Sequence, residues 1–207
     1  MIELYHSLNA RSLRALWMLE ELGLPYKLHN IAFPPRHLHQ GYLDLNPLGT
    51  VPLLIDGETR MTESSAIIHY LGTRYGPSDL IVQPDEAAYG AYLNFLFMGE
   101  ATLTFPQTIF LRYTFMEPEE RRLPQAAADY TQWFLSRLKG AAVLMGQDYV
   151  CANRFTAADI SIAYALHLAK VFGLAQYAAP ETMAYYARVA ARPAFQRALS
   201  AERAQAP

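Results

Sequence analysis

Asn46-Pro47-Leu48-Gly49-Thr50-Val51-Pro52-Leu53-Leu54-Ile55-Asp56-Gly57-Glu58-Thr59-Arg60-Met61-Thr62-Glu63-Ser64-Ser65 is the stretch that decides the fold. Asn46 to Gly49 is turn chemistry: Asn can bond its own downstream backbone and Gly accepts a positive φ. The apolar run Val51 to Ile55 follows, then Asp56-Gly57, then Thr59-Arg60-Met61. An Asp-Gly pair between two such runs predicts an antiparallel hairpin. Thr62-Glu63-Ser64 then supplies helix-starting residues, and Ala66, Ile67, Tyr70 and Leu71 continue at helical spacing toward Tyr75. Gly76-Pro77-Ser78-Asp79 breaks the pattern. The unit reads strand, strand, helix.

Upstream, Ile2 to Tyr5 predicts a strand, and Leu13, Leu16, Trp17, Leu19 and Leu22 form a broad apolar helix face that Gly23 closes. Pro25 to Phe33 predicts a second strand, stopped by Pro34-Pro35 before a short helical stretch from Arg36 to Leu45. Downstream of Pro84 the period is helical almost throughout: about 85 to 115, rich in aromatics, then about 118 to 145, opening on Pro118-Glu119-Glu120. Phe155-Thr156-Ala157-Ala158-Asp159-Ile160 reads as a capping box, Thr156 to Asp159, inside a hydrophobic staple, Phe155 to Ile160. A last pair of helices is expected after Pro180 and around Pro193. The expected division is an α/β domain at 1–76, a linker at 77–84 and an all-helical domain at 85–207.

Composition narrows the function classes. The 207 residues carry 17 basic and 19 acidic side chains with no Lys/Arg run able to neutralise a phosphate backbone, so no nucleic-acid partner is expected. Cys151 is the one cysteine, which forbids an intramolecular disulfide and any CxxC pair and points to a reducing, cytoplasmic setting. No apolar run is long enough to suggest a membrane span. His37 and His39 project from different faces of a helix, so no metal site is expected there.

Four ordered motifs, Asn46 to Pro52, Thr62 to Ile67, Phe155 to Asp159 and Arg192-Pro193-Ala194-Phe195, resemble the glutathione S-transferase family, and the resemblance spans nearly the whole chain. It implies a thioredoxin-like α/β N-terminal domain followed by an all-α C-terminal domain, in a cytoplasmic homodimer of detoxification type that uses glutathione as cosubstrate and no metal. It also implies a cis Val51-Pro52 bond, with the Val51 main chain pairing with the cysteinyl unit of glutathione as a strand edge would. Glu63 and Ser64 would grip the γ-glutamyl end, while His37, with Gln40 or His39 as alternatives, would meet the glycine carboxylate. Phe105, Phe110 and Tyr113 would line a pocket for a small hydrophobic electrophile.

The chemistry depends on the sulfur. A free thiol titrates near ~8.5 and only the thiolate attacks, so lowering that value by about two units takes roughly 2.7 kcal/mol of preferential anion binding. Related transferases commonly carry Ser-Arg-Ser before the first helix, the leading serine donating to the sulfur; this chain reads Ala10-Arg11-Ser12. The candidate catalytic groups are therefore Ser12, with Asn9 assisting and Arg11 supplying positive potential; Tyr5 is a further option. Two other readings stand beside transferase: a glutathione-binding protein with no catalysis, which Ala10 favours, and a glutathione-dependent isomerase, peroxidase or disulfide reductase. The lack of a cysteine in the first loop speaks against a mixed-disulfide route.

Overall fold

The computed structural model describes residues 1–204. They form two compact units, one made of Met1–Ile81 together with the residues from Ala190 onward, the other of Val82–Val189.

In the first unit β1 (Ile2–His6), α1 (Ser12–Leu22) and β2 (Tyr26–Asn30) form a βαβ segment. Two single-turn helices, α2 (Pro35–Leu38) and α3 (Tyr42–Leu45), lead to the hairpin of β3 (Leu53–Asp56) and β4 (Thr59–Met61), and α4 (Ser64–Arg74) follows. The sheet order is β2-β1-β3-β4. β1 runs parallel to β2, pairing Leu4 with Leu28 and His6 with Asn30, and antiparallel to β3, pairing Leu4 with Leu54. This is the thioredoxin-like plan the resemblance implies. Residue by residue, β2 is shorter than Pro25 to Phe33, and the helical stretch from Arg36 to Leu45 is two turns separated by Gly41, whose φ is +76°.

The apolar face of α1 explains its place. Leu13, Leu16, Trp17 and Leu19 are all fully buried, and Gly23 ends the helix in the left-handed region at φ +62°. α1 packs against α4 and against α10 (Pro193–Ala204), which returns to this unit from the far end of the chain. The Trp17 and Phe195 rings lie 4.2 Å apart, Arg192 grips the Glu21 carboxylate with two bonds of 2.6 and 2.8 Å, and Arg197 reaches Glu20 at 2.7 Å.

The second unit is helical: α5 (Tyr89–Met98), α6 (Phe105–Leu111), α7 (Pro124–Leu144), α8 (Ala157–Val171) and α9 (Pro180–Ala190). α5 and α6 are joined by a π-turn over Gly99–Thr104, and a second π-turn covers Arg112–Met116. Pro106 accounts for the first, because it has no N–H to give the ladder and its ring displaces the carbonyl one turn back. Side chains take up the slack: Thr104 Oγ1 donates to Gly99 C=O at 2.7 Å, and Gln107 Nε2 donates to Leu103 C=O at 2.9 Å and Ala165 C=O at 3.0 Å. The segment expected to open a helix at Pro118 is instead a single 3-10 turn, Glu119–Arg121, and α7 begins at Pro124. Proline fits the first turn of a helix and not its interior, so Pro124 sets the start.

α8 is the core of this unit, buried from Ala157 to Ala169. Its start carries the expected capping box: the Asp159 carboxylate accepts from Thr156 N–H at 2.8 Å, Val150 N–H at 2.9 Å and Tyr185 O–H at 2.9 Å. Burial pushes the Asp159 carboxyl up to about 6 despite these donors. Phe155 and Ile160 are both buried, completing the staple.

Candidate functional site

The first loop leaves the C-terminal end of β1 at His6 and enters α1 at Ser12. Parallel α/β sheets collect ligands at that edge, where strand ends and helix starts converge. Asn9 adopts φ +56°, a region a side-chain-bearing residue enters rarely and Asn more readily than most. Ala10 and Tyr5 pack on the cluster of Ile31, Tyr42 and Val51. The methyl at position 10 is thus absorbed into an apolar contact beside the very residue expected to offer its main chain. Ser12 is fully buried, 0% exposed, and its Oγ accepts Ser7 N–H at 3.3 Å. Asn9 and Arg11 are half-buried. Burial raises the Tyr5 phenol above its ordinary value, so it stays protonated.

The turn before β3 is built by Asn46. This buried side chain accepts Leu48 N–H at 3.1 Å and donates through Nδ2 to Thr50 C=O at 2.8 Å, which also accepts Tyr42 O–H at 2.7 Å. Gly49 sits at φ +61°, where a Cβ would lie 2.7 Å from Arg36 Cβ. These contacts fix the chain immediately before Val51, and the Val51-Pro52 bond is cis.

At the start of α4, Glu63 is the exposed N-cap and Ser64 the buried first residue. Ser64 Oγ accepts from Arg14 Nη1 at 3.1 Å, and Arg14 is 0% exposed. A buried guanidinium therefore ties the first turn of α1 to the N-terminus of α4, where helix amides and dipole favour an anion. His37 and Gln40 lie together on an open cleft of about 530 Å³ that Arg36, His39 and Tyr42 also line. His37 Nε2 accepts Arg36 Nε at 3.2 Å.

In the helical unit a cavity of about 590 Å³ lies between α6 and α7, lined by Phe110, Tyr113, Ala127, Leu135 and Tyr177 among others. Phe105 is not part of its wall; it is 51% exposed and packs edge-on against Tyr130 at 6.5 Å. Cys151 is buried, and burial pushes its thiol up to about 11, which keeps it un-ionised and a poor nucleophile. Among the described residues no group of three His, Cys, Asp or Glu side chains is placed to hold a metal ion, and no helix is long and apolar enough to cross a membrane.

Sequence reasoning read Asn46 as a turn former, which its bonds to Leu48 and Thr50 bear out, and missed Arg14 as a builder of the candidate site. Arg14 did leave a signal, a lone cation amid the apolar residues of α1, which is paired or bonded when buried.

Residues 10–74 match the sequence family described as glutathione S-transferase, N-terminal domain, and residues 97–193 match its C-terminal counterpart. Glutathione S-transferase 3 of Schizosaccharomyces pombe is 37% identical over 103 residues, which is 50% of this chain and 43% of that protein. The theta class glutathione S-transferase of Xanthomonas axonopodis pv. citri, solved with glutathione bound, is 27% identical with a TM-score of 0.78, covering 96% of both chains. A sphingomonad glutathione S-transferase complexed with glutathione is 26% identical with a TM-score of 0.82, covering 97% of this chain and 98% of its own. Two family matches in the right order, on this topology, place the chain in the glutathione S-transferase family.

Proposed function

We propose that this chain is an enzyme that binds glutathione and activates its thiol for attack on a small hydrophobic electrophile. The observation that carries the reading is the convergence within one unit of residues far apart in sequence: Ala10 packs on the cluster containing Val51, and Arg14 joins α1 to Ser64. In this reading the Val51 main chain pairs with the cysteinyl unit, Glu63 meets the γ-glutamyl ammonium, Ser64 and the α4 amides receive its carboxylate, and His37 with Gln40 faces the glycine end. The sulfur then lies over the first loop. Asn9 donates to it and Arg11 contributes positive potential. Ser12, being buried, serves by holding Ser7 and the helix start in place rather than by touching sulfur. The thiol loses its proton to solvent, the thiolate forms a C–S bond, and the leaving group departs with its electron pair. Phe110 and Tyr113 form part of the apolar site for the electrophile.

Calorimetric titration with glutathione and a conjugation assay with an activated aromatic halide test this together. Micromolar to millimolar binding with release of halide is the expected result. Binding without turnover supports the second reading, a glutathione-binding protein with no catalysis, which Ala10 and the buried Ser12 favour. Absence of binding overturns both.

A further inference from the structure

At the end of β1, His6 is 0% exposed, and its cross-strand neighbour on β2 is Asn30. Both face the last turns of α10. His6 Nε2 lies 3.1 Å from Glu202 Oε2, and the same oxygen accepts the Asn9 N–H at 3.2 Å. Asn30 Nδ2 donates to the C=O of Glu202 at 3.3 Å and of Ala201 at 3.5 Å, which fixes the helix end that carries the carboxylate. Glu202 is 2% exposed.

A carboxylate in that position is unfavourable for packing alone. Burying it sacrifices hydration that a leucine of similar volume would never have held, so its presence is explained by the donors it receives. One of those donors is the main-chain amide of the residue at φ +56°. Backbone conformations of that kind persist when surrounding bonds define them, and they collect at functional loops. We infer that Glu202 is a positioning residue: from the far end of the chain it holds the backbone of the first loop so that Asn9 is presented to the glutathione sulfur. The inference rests on the proposal above that this loop stabilises the thiolate. Arg192 and Arg197, bound to Glu21 and Glu20, seat α10 on α1 and so set the depth of Glu202.

The test uses the full chain in three variants. Glu202→Leu keeps the volume and removes the acceptor, Glu202→Gln retains an acceptor oxygen, and Asn9→Ala removes the side-chain donor. Hydrogen exchange of residues 7–12 is measured without ligand, glutathione affinity by calorimetry, and the ionisation of bound glutathione by ultraviolet thiolate absorbance against pH. Glu202→Leu should speed exchange in this segment at least tenfold and raise the bound thiol by about one pH unit, a tenfold loss of thiolate at fixed pH below that value. Its glutathione dissociation constant should stay within about threefold, and Glu202→Gln should recover most of the protection. Unchanged exchange in Glu202→Leu overturns the inference. So does faster exchange with an unmoved thiol when Asn9→Ala moves it, since the loop would then be anchored to no catalytic end. If Asn9→Ala leaves the thiol unmoved, the loop reading fails and takes this inference with it. Should Glu202→Leu not fold, the wild-type amide of Asn9 decides: protection comparable to the β1 amides supports the anchor, and free exchange overturns it.

Discussion

Glu63 and Ser64 are adjacent in sequence, yet their surroundings assign them different consequences. Glu63 is exposed, so its carboxylate adds little to the fold and, in the proposed reading, is open to the ligand. Ser64 is buried and accepts a bond from a guanidinium that has no contact with solvent. Glu63→Gln is therefore expected to weaken glutathione binding by roughly tenfold to a hundredfold, the range of a lost charge-assisted bond, with the melting temperature unchanged. Ser64→Ala should weaken binding too, but also lower stability by about 1–2 kcal/mol, because the Arg14 donor loses this acceptor inside the protein. Calorimetry beside thermal melts separates the two, and equal melting points would contradict the role given to Arg14. At this scale the sequence was informative where chemistry is local. Thr156 and Asp159 could be read from spacing, since a capping box needs only residues a turn apart. Ser12 could not be judged, because its burial comes from the packing of α1 against the rest of the unit.

Among the elements, α8 has the most sharply defined start, and Asp159 makes that start sensitive to pH. Its carboxyl is raised from an ordinary 3.8 to about 6 by burial, so the folded protein holds a proton there over a range in which the unfolded chain has released it. Stability from this group is full below the lower value and declines as pH rises through the upper one, by roughly 3 kcal/mol at most. Asp159→Asn cannot titrate, and its amide nitrogen meets the Thr156 N–H that the carboxylate accepted. The variant should be less stable than the natural chain at pH 4, and its deficit should shrink as pH passes 6; denaturant unfolding at both values reads the difference. A deficit that grows with pH would mean that the hydrogen bonds outweigh burial at this carboxyl. Elements carried by period and punctuation were legible: β1, α1 with its closing Gly23, the hairpin at Asp56-Gly57 and the start of α8. The π-turns were not, because apolar spacing in α5 and α6 looks helical whichever carbonyl each amide chooses, and only Pro106 hinted at a shift.

Over the whole molecule, the resemblance implies a homodimer, and among the exposed large apolar side chains are two aromatics of the helical unit. Phe97 on α5 and Phe105 at the start of α6 are each more than half exposed. Light scattering should give twice the 23.3 kDa mass of one chain, and Phe97→Glu should shift the population toward single chains at micromolar concentration. A single-chain mass for the natural protein would remove the dimer. The return of α10 was beyond the reach of sequence, since the motif Arg192 to Phe195 marks a helix start and not the surface that helix will join. That return has a consequence for biosynthesis. Domains tend to close in the order in which they leave the ribosome. Here β1 and α1 lack their neighbour α10 until Phe195 and Glu202 have cleared the exit tunnel. The segment Val82–Val189 is therefore free to finish first, and on the inference above the first loop is set only once α10 has been made, so a product cut short before α10 should carry the candidate glutathione-binding motifs without an anchored loop.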